Sequence, residues 1–133
     1  MKTEEVAKKV VELTRKQAWK EAIDTLYDKE IVSVEARTMD GSSPETRGIE
    51  GVRGKTDWWV NNMDVHSAKV SGPFVAHDRF VVQYDIDATD KNSKKRMQMS
   101  EVGVIRSRME RLCAKSFCRW QSKRIDSRKS FPA

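Results

Sequence analysis

Hydrophobic and polar positions alternate most regularly in the middle of the chain, between Asp64 and Val104. One set of alternate positions here is apolar or aromatic: Phe80, Val82, Tyr84 and Ile86. The intervening set is mostly polar: Val81, Gln83, Asp85 and Asp87. A period of two over this length predicts a strand with one face on a core. We therefore interpret the stretch as three consecutive strands, a short one, a long one and, after a turn rich in Asp, Lys, Asn and Ser, a third.

The chain before these strands has the spacing of amphipathic helices. Val6, Val10 and Leu13 recur at helical intervals. A second apolar series at i, i+3, i+4, i+7 and i+8 follows: Trp19, Ala22, Ile23, Leu26 and Tyr27. Both patterns predict helices with one buried face.

The segment after the second helix is predicted to contain a strand, a loop and a third helix. An acidic break at Asp28–Glu30 precedes a β-branched run from Ile31 to about Ala36, which predicts a strand. Turn residues from Asp40 to Gly48 predict a loop. Ile49 to about Asn62 predicts a third helix. The order helix, helix, strand, helix and then antiparallel strands predicts an α+β domain whose helices cover one face of a curved sheet.

Net charge separates the chain into two parts. The 133 residues suit one domain and carry a formal charge of +6. Residues 1–104 hold 17 Lys and Arg against 18 Asp and Glu, whereas residues 105–133 hold 9 against 2. The tail alone is basic, so phosphate contacts through it are one functional hypothesis. No base-reading motif accompanies the charge, and we expect no nucleic-acid partner.

Several other classes of protein are not indicated. No apolar run approaches the roughly 18–20 residues that a membrane span requires, and the N-terminus lacks the layout of a signal peptide. We therefore expect a cytoplasmic protein without a membrane partner. The two histidines are eleven residues apart and no cysteine pair has ligand spacing, so we predict no metal site. The sequence also lacks a phosphate-binding glycine loop, so we expect no cofactor.

Three segments resemble a known family: LYDKEIVSVE (Leu26 to Glu35), SGPFVAHDRFVVQYDID and MQMSEVGV. They are similar to the nuclear transport factor 2-like superfamily, in its SnoaL-like and ketosteroid-isomerase-like branch, over residues of about 5–104. The resemblance implies a cone: a curved antiparallel sheet around a pocket, with helices packed on its concave face. It also implies a hydrophobic small-molecule ligand and a homodimer.

The resemblance implies Glu35 and Glu101 as catalytic residues, and the strand pattern adds His66 as a further candidate. Glu35 corresponds to the base that moves a proton between substrate carbons, and Glu101 to a second carboxyl on a later strand. His66, on a strand face with Ala68 and Val70, is the alternative partner acid. Expected ligand-binding side chains are Tyr27, Trp58, Tyr84, Met97 and Met99; Trp59 is an alternative to Trp58.

Each of the three candidates also has a simpler interpretation. Glu35 is alternatively a solvated acid at a strand end, or an ion-pair partner of Arg37 or Arg53. Glu101 shares a face with Met97 and Met99, an unusual place for an acid unless it is paired or functional. Its alternatives are a bulge that turns it outward or an ion pair with Arg79 or Arg96. His66 is alternatively a hydrogen-bonded wall residue.

Two functions remain open at the level of sequence. One is an isomerase or cyclase that acts by carboxylate-mediated proton transfer on a hydrophobic carbonyl compound. The other is a non-catalytic ligand-binding or scaffold module of the same fold. The first helix has no tyrosine where the isomerases keep their main oxyanion donor, and Tyr27 and Tyr84 are the only phenols. This departure favours the second function.

The change in composition towards the C-terminus gives the predicted domain boundary. We place the cone domain at residues 1–106 and a divergent basic tail at 107–133. The superfamily ends in a strand that reads like DGKIVREEF, and the codons of residues 108–117, read one nucleotide earlier, can spell it. We hypothesise a single-base slip near codons 103–104. The alternative is a genuine divergent terminus, in which an apolar series suits an amphipathic helix: Met109, Leu112, Cys113, Phe117 and Trp120.

Overall fold

The computed structural model describes residues 2–35, residues 43–108 and the backbone of residues 111–120. The helices are α1 (Thr3–Arg15), α2 (Trp19–Leu26) and α3 (Ile49–Asn62). The strands are β1 (Tyr27–Val34), β2 (Glu45–Arg47), β3 (Met63–Ala76), β4 (Arg79–Asp90), β5 (Arg96–Arg108) and β6 (Arg111–Trp120). The predicted bounds of α3 agree with the observed ones.

The strands form one sheet in the order β2-β1-β6-β5-β4-β3. Neighbouring strands are antiparallel except β1 and β6, which run parallel. Register shifts interrupt β3 twice and lie between Arg106 and Ser107 in β5. Bulges of this kind bend a sheet and increase its twist. The predicted α+β class, with a curved and mostly antiparallel sheet, is confirmed.

The helices of the described chain pack on one face of this sheet, which we call the inner face. Helix α1 lies against β3 and β4, and α3 lies against β1. The alternation predicted for β4 is confirmed, because its four predicted core positions are buried and Gln83 between them is exposed. Phe80 and Ile105, paired across β4 and β5, are 1% and 0% exposed. Burial of each such side chain is worth about 1.5–3 kcal/mol.

Three local predictions before β4 were wrong. The acidic residues Asp28–Glu30 do not break the chain, because β1 begins at Tyr27, directly after α2. Lys29 and Glu30 lie at exposed positions of the strand, where charge costs little. The predicted loop contains β2, which pairs with β1 through residues 32–34. The first of the three central strands is long, with 14 residues.

The sheet continues beyond residue 106. Strand β5 runs to Arg108, and the backbone of β6 pairs with both β5 and β1. Residues 111–120 are therefore a strand, and the amphipathic helix of the in-frame alternative was wrong for this segment. The slip in reading frame concerns the gene, and it stays a prediction.

Candidate functional site

A polar group stands at the end of β1, on the inner face of the sheet. Ile31 and Ser33 are buried there, at 0% and 3% exposure, and Glu35 follows two residues later. Side chains two apart on a strand share a face. The Glu35 carboxylate accepts a hydrogen bond from Lys55 Nζ at 2.8 Å, and Ser33 Oγ accepts one from the same nitrogen at 3.1 Å. We call Ser33, Glu35 and Lys55 the inner polar group.

Helix α3 places Lys55 next to Ser33 and Glu35. Val52 is buried and Trp59 packs against the core, so the helix face that they share with Lys55 is turned towards the sheet. The side chains of Lys55 and Glu35 are 34% and 28% exposed. Both groups are therefore partly desolvated yet open to a molecule arriving from solvent.

The ion-pair partner of Glu35 differs from the two arginines that the sequence suggested. Arg37 lies outside the described residues. Arg53 binds Asp24 and approaches Glu50 at 3.5 Å. The backbone also fixes Glu35, because its N–H donates to the Pro44 carbonyl at 2.8 Å.

Glu101 lies on the same face of the sheet, on strand β5. It pairs in register with the buried Tyr84, and the buried residues Met99 and Gly103 flank it on its own strand. The register from Arg96 to Arg106 is unbroken, so no bulge turns Glu101 outward. The sequence pattern Met97, Met99, Glu101 therefore describes one face of the strand, as predicted.

The two acids lie on one face of the sheet, on strands that are not neighbours. Strand β6 lies between β1 and β5, so Glu35 and Glu101 are separated by two strand spacings, roughly 10 Å. This spacing is between the strands that carry the two acids, and a ligand on the inner face can lie between them.

His66 does not join the two acids. A register shift between Val65 and Ser67 breaks the alternation on which its predicted face depended, so it does not continue the series of Ala68 and Val70. The ring is exposed, and its Nε2 lies 2.7 Å from Thr89 Oγ1 on the outer face. We therefore leave His66 out of the candidate site.

The predicted ligand-binding residues divide into buried and exposed ones. Tyr27, Tyr84 and Met99 are core residues at 4–7% exposure, and Met97 packs against the core. Trp58 is 56% exposed, and Trp59 is the indole of α3 that faces inward. Their roles as ligand contacts stay predictions.

Sequence reasoning missed Ser33 and Lys55. Ser33 carried a usable signal, because a polar residue two before Glu35 shares its strand face. Lys55 carried a weaker one, since it stands four residues before Trp59 and therefore on the same side of α3.

Two further features of the described residues bear on binding. An open depression of about 370 Å³ lies between α1 and β3, and none of the predicted site residues lines it. Its lining is Lys8, Val11, Glu12, Arg15, Lys16, Gly72 and Pro73. Within residues 2–35 and 43–108 no group of three His, Cys, Asp or Glu is arranged to hold a metal ion.

The fold, a curved sheet with helices on its inner face, is that of the nuclear transport factor 2-like superfamily. Within it, the chain belongs to the SnoaL-like domain family, which matches residues 1–118. No functionally curated protein matches the chain. No helix in the described part is long and apolar enough to cross a membrane.

Three solved structures share this fold. A Mesorhizobium loti protein, described as a candidate SnoaL-like polyketide cyclase with carbohydrate phosphatase in brackets, is 30% identical with a TM-score of 0.82. The match covers 89% of this chain and 99% of that one. A candidate isomerase from Bacillus subtilis is 15% identical, with a TM-score of 0.71 and 90% of each chain covered. A ketosteroid isomerase-like protein from Catenulispora acidiphila, solved with trimethylamine, is 14% identical, with a TM-score of 0.60 and coverage of 73% and 72%.

Proposed function

We propose that this chain is an enzyme that moves a proton on a hydrophobic carbonyl compound, as an isomerase or a cyclase, with Glu35 as the base. The observation that carries the proposal is the inner polar group. It fixes a partly desolvated carboxylate on the inner face of the sheet, with a cation 2.8 Å away. The descriptions of the similar structures, polyketide cyclase and isomerase, support the same class of chemistry.

The reaction begins with removal of a proton from the carbon next to a carbonyl. The proton passes to a Glu35 oxygen, and the electron pair of the C–H bond moves into the carbonyl to give an enolate. In an isomerase, Glu35 returns the proton to another carbon of the enolate. In a cyclase, the enolate carbon attacks a second carbonyl of the same molecule and closes a ring, and the resulting alkoxide takes up the proton from Glu35. Glu101 is the proposed second acid, on a strand two positions away in the sheet.

Hydrogen exchange tests the base even while the substrate is unidentified. A panel of hydrophobic cyclic ketones and β-diketones is incubated with the protein in D2O, and loss of the α-hydrogen signal is followed by NMR. We expect catalysed exchange with at least one compound and a loss of about 100-fold or more in Glu35→Gln. Glu45→Gln, an exposed acid of β2, is the control. Unchanged exchange in a folded Glu35→Gln variant would eliminate Glu35 as the base.

A non-catalytic ligand-binding module is the second candidate. The observation that favours it is the burial of both phenols, because Tyr27 and Tyr84 belong to the core rather than to an open site. This alternative predicts that members of the panel bind while no exchange exceeds the solvent rate. Binding without exchange in the wild-type chain would decide for it.

A further inference from the structure

We infer that Lys55 is the electrophile of the site: its ammonium binds the substrate carbonyl oxygen and stabilises the enolate formed when Glu35 removes the neighbouring proton. The inference rests on the proposed function, and it narrows the substrate to a carbonyl compound whose oxygen becomes anionic. Lys55 would then be a catalytic residue that the sequence did not indicate. Ser33 would be a positioning residue.

The hydrogen bonds of Lys55 leave room for such a ligand. An ammonium has three N–H donors, and the described residues take two of them, through Ser33 Oγ and Glu35 Oε1. The Lys55 side chain is 34% exposed, so the group is not sealed from solvent. A carbonyl oxygen can take the remaining donor without breaking either existing bond.

The spacing of base and cation suits enolisation. The acidic hydrogen and the carbonyl oxygen of an enolisable ketone sit on adjacent carbons, so the groups that engage them must also be neighbours. Lys55 Nζ and Glu35 Oε1 are 2.8 Å apart. During the reaction the negative charge leaves Glu35 and appears on the enolate oxygen, and both positions border the same ammonium. The ammonium therefore stays next to the negative charge as it moves from the carboxylate to the enolate oxygen, which keeps that charge compensated throughout the step.

Ser33 holds the ammonium in place. It is 3% exposed, and its Oγ lies 3.1 Å from Lys55 Nζ, so it anchors a long side chain that would otherwise sample several rotamers. A buried hydroxyl that accepts this bond also restricts the ammonium to the end of β1 where Glu35 stands. We therefore assign Ser33 no step in proton transfer.

Binding of an enolate mimic tests Lys55 independently of turnover. 4-Nitrophenolate carries an anionic oxygen on a flat apolar ring, and its methyl ether, 4-nitroanisole, lacks the charge. At a fixed pH where the phenol is ionised, we expect the wild-type chain to bind the phenolate more tightly. In Lys55→Met the affinity for the phenolate should fall by about tenfold, which abolishes the preference over the ether. A tenfold change is the effect expected for the loss of one charge-assisted hydrogen bond. Lys55→Arg should retain part of the preference.

Glu35→Gln should change the phenolate affinity in the opposite direction to Lys55→Met. Removing the carboxylate frees the ammonium and removes a repelling charge, so phenolate binding should become tighter than in the wild type. Lys20→Met is the matched control, because Lys20 pairs with Asp57 between α2 and α3 at 3.1 Å, with the lysine side chain 65% exposed. It should leave the preference unchanged.

The outcomes separate the two proposals. Equal affinity of the wild-type chain for the two probes, or a phenolate preference that survives Lys55→Met, would overturn the role of Lys55. Weaker phenolate binding in Glu35→Gln would also contradict it, and this variant keeps the test decisive should Lys55→Met fail to fold. Hydrogen exchange that persists in Glu35→Gln refutes the proposed base, whereas the probe affinities do not depend on that result.

Discussion

Single residues of the core and of the helix surface respond differently to the same truncation. Val82 is 0% exposed on the inner face, whereas Val60 on α3 is 39% exposed. We predict that Val82→Ala lowers the free energy of unfolding by about 2 kcal/mol, from lost burial and a residual cavity. Val60→Ala should change it by less than about 0.5 kcal/mol, since alanine also favours the helix. Urea unfolding followed by circular dichroism measures both, and equal losses would contradict the assigned faces.

Asp87 and Arg96 join β4 and β5 on the outer face and predict a dependence of stability on pH. Arg96 donates two hydrogen bonds to the carboxylate, at 2.9 and 2.7 Å, and these bonds hold the pKa of Asp87 below its ordinary value. A depressed folded-state pKa means that the pair stabilises the fold above the unfolded pKa, about 3.9. That contribution disappears as the pH falls through the folded value.

We therefore predict a shallower acid loss of stability in Arg96→Met than in the wild type. The measurement is the urea midpoint at a series of pH values from neutral to below about 3. Lys20→Met removes one positive charge from the surface of α2 and should keep the wild-type profile. Parallel profiles for wild type and Arg96→Met would show that this pair does not contribute.

Among the elements, α3 carries two glycines with opposite surroundings. An added Cβ at Gly54 would meet nothing within 4 Å, whereas one at Gly51 would lie 2.7 Å from Thr46 Cγ2 of β2. We predict that Gly54→Ala stabilises the protein by about 1 kcal/mol through helix propensity. In Gly51→Ala the clash between α3 and β2 should cancel that gain. Thermal unfolding of the two variants checks the difference, and equal stabilisation would contradict the packing of α3 on β2.

The elements also show what a sequence pattern can and cannot predict. The bounds of α3 and the alternation of β4 were predictable, because each follows from side-chain periodicity over many residues. Strand β2 was missed, because its three residues are exposed or half-buried and its strand form depends on pairing with β1. The face of His66 was wrong because a bulge at Val65–Ser67 leaves no mark in the hydrophobic pattern.

The candidate site was predictable only in part, for a related reason. Glu35 and Glu101 follow from strand position and resemblance, and both lie on the inner face. Lys55 reaches Glu35 across 20 positions of sequence, from a helix packed on the strand. Contacts between elements depend on how the helix sits on the sheet, which local periodicity does not encode.

At the scale of the whole molecule, the outer face of the sheet carries an apolar patch that we define as Phe74, Val81 and Val104. These residues are paired in register across β3, β4 and β5, and Phe74 and Val104 are 67% and 37% exposed. We propose that a second copy of this chain covers the patch, in line with the homodimer that the resemblance implied. Adjacent exposed apolar side chains on a sheet face are a typical protein contact.

The dimer predicts a change of mass on substitution. Phe74→Glu and Val104→Glu should each shift the chain towards monomer in sedimentation velocity at micromolar concentration, because they place charge in the contact. Val60→Glu on α3 is the control. A monomeric wild-type chain, or a dimer that survives both substitutions, would show that the patch is not the interface.

The position of strand β6 in the sheet makes the reading frame of the gene matter for stability. β6 lies between β1 and β5, so it is a central strand, and central strands need side chains that suit both faces. In the present frame the strand reads RLCAKSFCRW, with three basic residues, whereas the shifted frame can encode a run such as KIVREEF. The family match runs through residue 118, so the strand belongs to the domain in either case.

If a base was lost from the gene, inserting one near codon 103 opens a frame that encodes the expected strand. The chain made from that frame should unfold at a higher urea concentration than the present one, because the adjacent β-branched residues of the run KIVREEF favour a strand more than Leu112 and Cys113 do. Sequencing the gene and comparing the urea midpoints of the two chains provide the measurement. A shifted frame that meets a stop codon before this strand, or fails to encode it, would refute the slip.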